Sequence, residues 1–234
     1  MKKIVIFAIL FFFSATASFA QEYPKTFSKK GNVYLEAQKG EILQLTKIGK
    51  DRGPKLSPDK TKVVFLRKTK KRAHHPLDLP EFTDEMRTAD EVFVYDLKDK
   101  KERVIFEGGM CDKINEEVPV HIFYWDFFAE FSSDSQKIYF LVPCAVTSSS
   151  VIEINIDGSG GRFVCHGNAV YVIKKGEYKD NLIVEKHKYF MVGAPGSYDW
   201  YWIVSPDGKE IGPLGERSRI PKEEMEYFYG VTLQ

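Results

Sequence analysis

Cysteine is scarce in this chain of 234 residues, which contains only Cys111, Cys144 and Cys165. None of them forms a Cys-x-x-Cys pair, so the sequence predicts neither a thioredoxin-like redox site nor a zinc knuckle. The odd number also argues against a scaffold built on disulfides. Two alternatives stay open: buried, inert thiols, or a single disulfide whose pair the sequence does not identify.

The motifs that mark common catalytic sites are missing as well. There is no Gly-x-Ser-x-Gly nucleophile turn, and the nearest match, Gly158–Gly161, lies in a hairpin and is typical of a flexible turn. A phosphate-binding loop, a dinucleotide fingerprint and a calcium loop are absent from the sequence. The pairs Glu116-Glu117 and Glu223-Glu224 are typical of a surface. We therefore predict no catalytic residue, no metal ligand and no cofactor.

Neither sign of charge dominates, since 34 Lys and Arg face 33 Asp and Glu. If the first 20 residues are removed, Lys2 and Lys3 go with them, which leaves 32 cations against 33 anions and a net charge of −1. Such a balance predicts no general attraction to nucleic acid or to anionic membranes.

The first 20 residues have the pattern of a secretory signal peptide. Lys2 and Lys3 precede the ten apolar residues Ile4–Phe13, and small residues follow up to Ala20. A bilayer span needs roughly 20 apolar residues, so this run favours a signal over an uncleaved anchor, the alternative. We predict cleavage after Ala20, export across a bacterial-type inner membrane, a periplasmic or secreted protein, and one mature domain over residues 21–234.

The mature chain reads as a succession of short strands, because runs rich in Val, Ile, Phe and Tyr alternate with turn residues. Four hairpin turns recur along it, at Gln38–Gly40, Lys98-Asp99, Asp157-Gly158 and Asp207-Gly208. Their spacings are 59 (Gly40 to Asp99), 59 (Asp99 to Gly158) and 50 (Gly158 to Gly208) residues. Regular spacing of hairpins indicates a repeat of small sheets.

A second hairpin type alternates with the first. The segment Pro54–Phe65, with its Ser-Pro-Asp turn and Val-Val-Phe strand, matches Ala129–Phe140 position by position. This pattern resembles the repeat of TolB-like and dipeptidyl-peptidase-type β-propellers, over residues 32–215. The resemblance implies an all-β fold, a small or partial propeller of about four blades, each an antiparallel four-stranded sheet.

The sequence departs from that repeat at several turns. Lys60 and Ser135 stand where a turn glycine is usual, and Ser133 stands where proline is usual. In the third full unit the segment Lys174–Glu177 replaces the Ser-Pro-Asp hairpin. Blade number and ring closure therefore stay open in the sequence.

The first unit begins incomplete, so closure of a ring requires another strand. We expect Met225–Leu233 to form a strand and to return to the N-terminal blade. If it does not, the molecule is an open stack of blades whose free edges favour a homodimer or another partner.

A long insertion, residues 68–90, interrupts the first full blade and begins in a basic run, Arg67–Arg72. A solvated face is one interpretation, and a docking patch for an acidic partner or phosphate-rich envelope components is the other. The adjacent histidines lack metal-ligand spacing. The binding candidates in this segment are Lys70, Lys71, Arg72, His74 and His75.

Two aromatic clusters are candidates for core packing or for contact with a ligand. In Tyr198–Trp202, alternate residues fall on opposite strand faces, which favours core packing between blades, with glycan or peptide stacking as the alternative. In His121–Phe128, Tyr124 and Trp125 precede an inner-strand candidate and are the aromatics expected to reach a central pocket.

Together these features predict an exported, non-catalytic binding module for an envelope or extracellular protein, peptide or glycan. The interpretation rests on analogy at the level of the fold. Two alternatives compete with it: a hydrolase or lyase that uses a central propeller pocket, and a structural partner that pairs through an open sheet edge.

Overall fold

Strands dominate the part of the chain that the computed structural model describes, which is residues 24–37, 40–72, 88–107, 129–143, 149–190 and 196–233. Sheet A contains β1 (Lys25–Lys29), β2 (Asn32–Glu36) and β3 (Ile42–Gln44). Sheet B contains β4 (Asp51–Leu56), β5 (Lys62–Arg72), β6 (Thr88–Asp96) and β7 (Lys101–Glu107). Sheet C contains β8 (Ala129–Phe131), β9 (Lys137–Pro143), β10 (Ser149–Asn155) and β11 (Arg162–His166). Sheet D contains β12 (Ala169–Val172), β13 (Leu182–Tyr189), β14 (Ser197–Val204) and β15 (Glu210–Glu216), and helix α1 (Lys222–Tyr229) follows.

Every sheet is an antiparallel meander in which neighbouring strands follow one another along the chain. Sheets B, C and D have four strands each, and sheet A has three. The described architecture confirms the prediction of an all-β chain built from repeated small sheets with a shortened first unit. No strand pairing joins sheet A to sheet D among the described residues.

The sheets bury both faces because successive residues of a strand point to opposite sides. Between sheets B and C, Val64 and Val92 pack in one cluster with Ile138 and Phe140. A second cluster between sheets C and D joins residues of β9 to β11 to residues of β12 to β14. Val33 of sheet A packs with Phe65 of sheet B in another. The core is therefore a series of layers between neighbouring sheets.

The turns of the repeat are held by hydrogen bonds between serine, aspartate and backbone. In the β8–β9 turn, Ser132 Oγ donates to Asp134 Oδ1 at 2.6 Å, and the Gln136 amide donates to the same oxygen at 3.0 Å. Lys60 and Ser135 have positive φ of 60° and 61°, which explains why glycine is usual at these positions. Ser135 Oγ also accepts from the Asp59 amide at 3.1 Å and so links the turns of sheets B and C.

These turns predict a loss of stability in acid. The hydrogen bond from Ser132 holds the pKa of Asp134 below its ordinary value, and the one from Ser205 does the same for Asp207. A carboxylate with a lowered folded-state pKa stabilises the fold above its unfolded pKa, and this contribution is lost as the pH falls. We expect the free energy of unfolding, measured with urea, to decline as the pH falls below about 5.

The substitution Asp134→Asn tests this origin. The variant should show a smaller decline of the free energy of unfolding with falling pH than the wild-type protein does, because its side chain has no charge to lose. Ser132→Ala, which removes the donor but keeps the carboxylate, should reduce the decline in the same direction. An unchanged slope in both variants contradicts the assignment.

The expectation that Met225–Leu233 forms a ring-closing strand is wrong. Residues Lys222–Tyr229 form helix α1, with Glu223 and Glu224 in the first turn, where negative charge stabilises a helix. Gly230, with φ of 65°, ends the helix and donates its amide to the Glu226 carbonyl. Good helix formers between these signals decide the structure.

Helix α1 covers the face of sheet D that points away from sheet C. Met225 and the following Val231 and Leu233 are buried against Ile183 and Tyr201. The C-terminal segment therefore shields the last sheet from solvent, and the four described sheets form an open stack, that is, a partial propeller.

Candidate functional site

The structure places few of the binding candidates that the sequence suggested. Lys70 is exposed near the end of the described part of β5. The backbones of Lys71 and Arg72 extend that strand, and Arg72 pairs with Thr88 of β6. The remaining candidates lie outside the described residues, as do the side chains of Lys71 and Arg72; they are His74, His75, Tyr124 and Trp125. Their roles stay predictions.

Arg67, the first cation of the basic run, has a structural role. Its guanidinium donates to the two oxygens of Asp51 at 2.6 and 3.0 Å and to those of Glu102 at 2.6 and 2.9 Å. It also lies 4.2 Å from the ring centroid of Phe93. Because its side chain is only 9% exposed, Arg67 is unavailable to a partner.

Cys165 does not offer a reactive thiol. It is free and buried, and burial raises the pKa of its thiol to about 11. A thiol with so high a pKa carries almost no thiolate at neutral pH and is a poor nucleophile. Cys111 and Cys144 lie outside the described residues. No cluster of His, Cys, Asp and Glu suited to a metal ion occurs among the residues that the structure describes.

A large open cavity lies along the outer strands of sheet D. Its volume is about 950 Å³, and the aromatic residues Phe190, Tyr198, Trp200 and Trp202 line it together with Pro213. We call this cavity the aromatic groove. It lies within the range of volumes typical of ligand sites, 300–1,000 Å³ roughly.

Strand alternation directs aromatic side chains into the groove, and a β-bulge lies next to it. Along β14, Tyr201 and Ile203 point to the core under α1. Trp200 and Trp202, which alternate with them, point to the opposite face. The pairing of β14 with β15 shifts between Tyr201 and Trp202, so that Trp200 is opposite Glu216 and Trp202 is opposite Pro213. Bulges at sheet edges redirect side chains. Here the bulge lies beside the groove.

The aromatic rings follow one another along the floor. The ring centroids of Phe190 and Tyr198 are 5.2 Å apart, and those of Tyr198 and Trp200 are 5.5 Å apart. Their planes meet at 43° and 69°, so the rings form a stepped surface. All of them except Phe190, which is 53% exposed, are half-buried.

Charged residues hold Trp202 in place. Lys188 Nζ lies 3.6 Å from the centroid of the Trp202 ring, a cation–π distance. Glu210 accepts from Lys188 at 3.0 Å and from Lys186 at 2.7 Å. Partial burial opposes ionisation of Glu210, but these two hydrogen bonds keep its pKa below the ordinary value. Trp202 Nε1 is buried without a hydrogen-bond partner among the described residues.

Polar groups form the rim of the groove. Arg217 donates to Glu185 at 3.0 Å, yet 58% of its side chain is exposed. Ser218 Oγ donates to Glu216 at 2.7 Å. Asp199 Oδ1 lies 2.8 Å from His187 Nδ1. The rim therefore presents both donors and acceptors beside aromatic faces, an arrangement suited to binding.

The expectation of core packing for Tyr198–Trp202 holds for only part of the cluster. Tyr201 is 2% exposed and belongs to the core, and Trp202 packs partly against the layer between sheets C and D. Tyr198 and Trp200 instead line open space. The alternation of aromatic residues predicts that both faces of β14 carry aromatic side chains. The local sequence does not indicate that sheet C covers one of these faces only in part.

The described fold is similar to known propellers at very low sequence identity. The crystal structure of dipeptidyl peptidase 4 from Porphyromonas gingivalis matches with a TM-score of 0.51 and 9% identity, over 82% of this chain and 31% of that one. TolB from Acinetobacter baumannii matches with a TM-score of 0.49 and 11% identity, over 83% of this chain and 41% of that one. The β-propeller domain of the Trilobed protease from Pyrococcus furiosus matches with a TM-score of 0.45 and 15% identity, over 79% of this chain and 49% of that one.

This chain thus spans 31–49% of the length of those structures. No protein-family model and no curated protein sequence matches it. The likeness to the dipeptidyl peptidase, together with the stacked antiparallel sheets, confirms the TolB-like and dipeptidyl-peptidase-type propeller fold that the turn repeat predicted.

Proposed function

We propose that this small, partial propeller is an exported, non-catalytic binding module and that its aromatic groove binds a glycan of the envelope or the extracellular space. The observation that carries the proposal is the stepped row of Phe190, Tyr198 and Trp200 beside a polar rim. The N-terminal signal pattern supports export to the periplasm or the medium. No helix in the described part of the chain is long and apolar enough to span a bilayer.

The chemistry of the groove favours a sugar over a purely apolar ligand. Sugar rings present C–H faces that pack on aromatic rings and hydroxyl groups that both donate and accept. Glu216 and Asp199 supply acceptors, and Arg217 supplies donors. The two carboxylates against one guanidinium favour neutral or basic sugars over acidic ones.

The proposed carboxylates are poorly suited to acid–base catalysis. Asp199 is paired with His187, and Glu216 is bonded to Ser218 and lies 2.9 Å from Arg219. A general acid or base must be free to exchange a proton with substrate. The groove therefore supports binding, whereas the His187–Asp199 pair at its rim is the arrangement that the hydrolase or lyase alternative would use, and turnover of the ligand distinguishes the two.

The test is a binding measurement on protein produced from the full chain in a bacterial host. The intact mass of the exported product checks the loss of residues 1–20. Binding to a glycan array and then to isolated oligosaccharides by calorimetry identifies the ligand class. We expect Trp200→Ala to raise the dissociation constant at least about tenfold, since aromatic contacts dominate binding sites.

Tyr227→Ala is the matched control because Tyr227 is an exposed aromatic residue, 73% exposed, on α1 outside the groove. It should change the dissociation constant by less than about twofold. Binding of peptides but not glycans, or equal effects of the two variants, contradicts the proposal. Turnover of the oligosaccharide during the titration contradicts its non-catalytic part.

Pairing through a sheet edge is a second candidate, and strand β3 favours it. β3 is an edge strand of sheet A, and its Ile42 and Leu43 are 59% and 48% exposed. An exposed apolar edge is a template for pairing with another strand. A stable dimer in sizing chromatography supports this candidate, and a monomer at micromolar concentration ends it.

A further inference from the structure

A second, smaller pocket lies where the C-terminal ends of the first strands of sheets B, C and D meet; these strands are β4, β8 and β12. Its volume is about 400 Å³. The β4–β5 turn contributes Pro58, the β8–β9 turn contributes Ser133, and the β12–β13 connection contributes Lys174 and Lys179. We call it the inner pocket. It shares no lining residue with the aromatic groove, so its test is independent of the proposed glycan function.

Positive charge predominates in the inner pocket. Lys55, Lys174 and Lys179 line it, and Glu130 is the acidic residue among the described lining. Glu130 is engaged in an ion pair with Lys55. Lys174 and Lys179 form no ion pair with the described residues. Two cations therefore line the pocket without a compensating carboxylate among the described residues.

An unsatisfied hydroxyl adds a second observation. Ser133 Oγ is inaccessible to solvent and has no hydrogen-bond partner among the described residues. The equivalent position of the preceding unit is Pro58, which has no side-chain donor. A buried hydroxyl without a partner is costly, so a ligand acceptor that draws the Ser133 side chain round toward the pocket on binding stabilises it.

Helix α1 fixes the segment that bears the two unpaired lysines. The Lys174 amide donates to the Tyr229 carbonyl at 2.8 Å, and the Lys179 amide donates to the Gly176 carbonyl at 3.2 Å. The neighbouring Lys175 has a different environment, since its Nζ lies 5.8 Å from the centroid of the Tyr227 ring. Within this segment, Lys174 and Lys179 therefore line the pocket, and Lys175 lies against the helix.

We propose that the inner pocket binds a phosphate group, held by Lys174, Lys179 and Ser133. Lysine presents a point charge with three donors, which suits a tetrahedral, doubly charged phosphate. A planar carboxylate is better matched by the paired donors of arginine, and the described lining contains none. Leu56 and Phe131 add an apolar wall, so a small phosphate ester fits better than a free ion.

The experiment is calorimetric titration of the exported protein with inorganic phosphate, phosphoserine and, for comparison, acetate, at constant ionic strength. We expect one saturable phosphate site that phosphoserine fills at least as tightly and that acetate does not fill. Lys174→Gln and Lys179→Gln should each raise the dissociation constant about tenfold, which corresponds to the loss of one charged hydrogen bond.

Lys175→Gln is the control, because it removes the same charge next to Lys174 outside the pocket lining. Lys175→Gln should raise the dissociation constant less than about twofold. Ser133→Ala should raise it by about threefold to tenfold. Thermal unfolding of each variant without ligand checks that the fold is retained. Absence of saturable phosphate binding, equal binding of acetate, or equal losses in the Lys174 and Lys175 variants overturns the proposal.

Discussion

Replacing Arg67 with alanine is expected to lower the free energy of unfolding by about 3–5 kcal/mol. Asp51, the partner of Arg67 at 2.6 Å, has a completely buried side chain. Removing the guanidinium leaves this carboxylate without a cation in a site that water does not reach. Equilibrium unfolding in urea, followed by circular dichroism, measures the loss.

Two variants define the origin of the effect. Arg67→Lys keeps the charge but loses the fork that binds Asp51 and Glu102 at once, so an intermediate loss is expected. Lys70→Ala removes an exposed cation of the same strand and should change the free energy of unfolding by less than about 0.5 kcal/mol. Equal stabilities of the Arg67→Ala and Lys70→Ala variants contradict the structural role of Arg67.

Replacing Met225 with alanine is expected to lower the free energy of unfolding by about 2–5 kcal/mol. Met225 is 2% exposed and packs from α1 against Ile183 and Tyr201 of sheet D. The substitution leaves a cavity between the helix and the sheet, since a tightly packed core collapses only in part. Urea unfolding measures this loss as well.

Phe228 provides the control within the same helix. It is 55% exposed, so Phe228→Ala should change the free energy of unfolding by less than about 0.5 kcal/mol. If Phe228→Ala destabilises the protein as much as Met225→Ala does, the helix does not pack on sheet D through the face that bears Met225.

The sequence predicted those parts of the fold whose interactions are local. Asp134 accepts from the Ser132 hydroxyl and from the Gln136 amide within one turn, so the pattern of residues alone specifies the hairpin. The uninterrupted apolar runs of β5 and β9 likewise specify strands with two buried faces. Repetition of both signals is sufficient to predict stacked sheets.

The aromatic residues of the C-terminal segment favour a strand, but its helix signals decide the structure. Tyr227 and Phe228 have high strand propensity, but both are exposed, so their burial does not determine the structure. Pro221 before the first turn, Glu223 and Glu224 within it and Gly230 after the last turn are the signals that predict a helix.

The two candidate sites depend on contacts between distant parts of the chain. Lys188 and Glu210 meet across 22 residues of sequence, and Lys55 and Glu130 meet across 75. The composition of Tyr198–Trp202 predicted aromatic side chains on both faces of a strand but not which face stays open. Likewise, the departure of Lys174–Glu177 from the repeat was visible, but its convergence with Ser133 requires three dimensions.

The open order of the sheets affects how the molecule comes apart. Sheets B and C each have a sheet on both sides, and sheet D has sheet C on one side and α1 on the other. Sheet A has three strands, and its described core contacts all reach sheet B. In a linear array, order is lost from the end with the weakest interface. Fraying therefore starts at the N-terminal sheet and leaves both candidate sites, which lie on the other sheets, assembled.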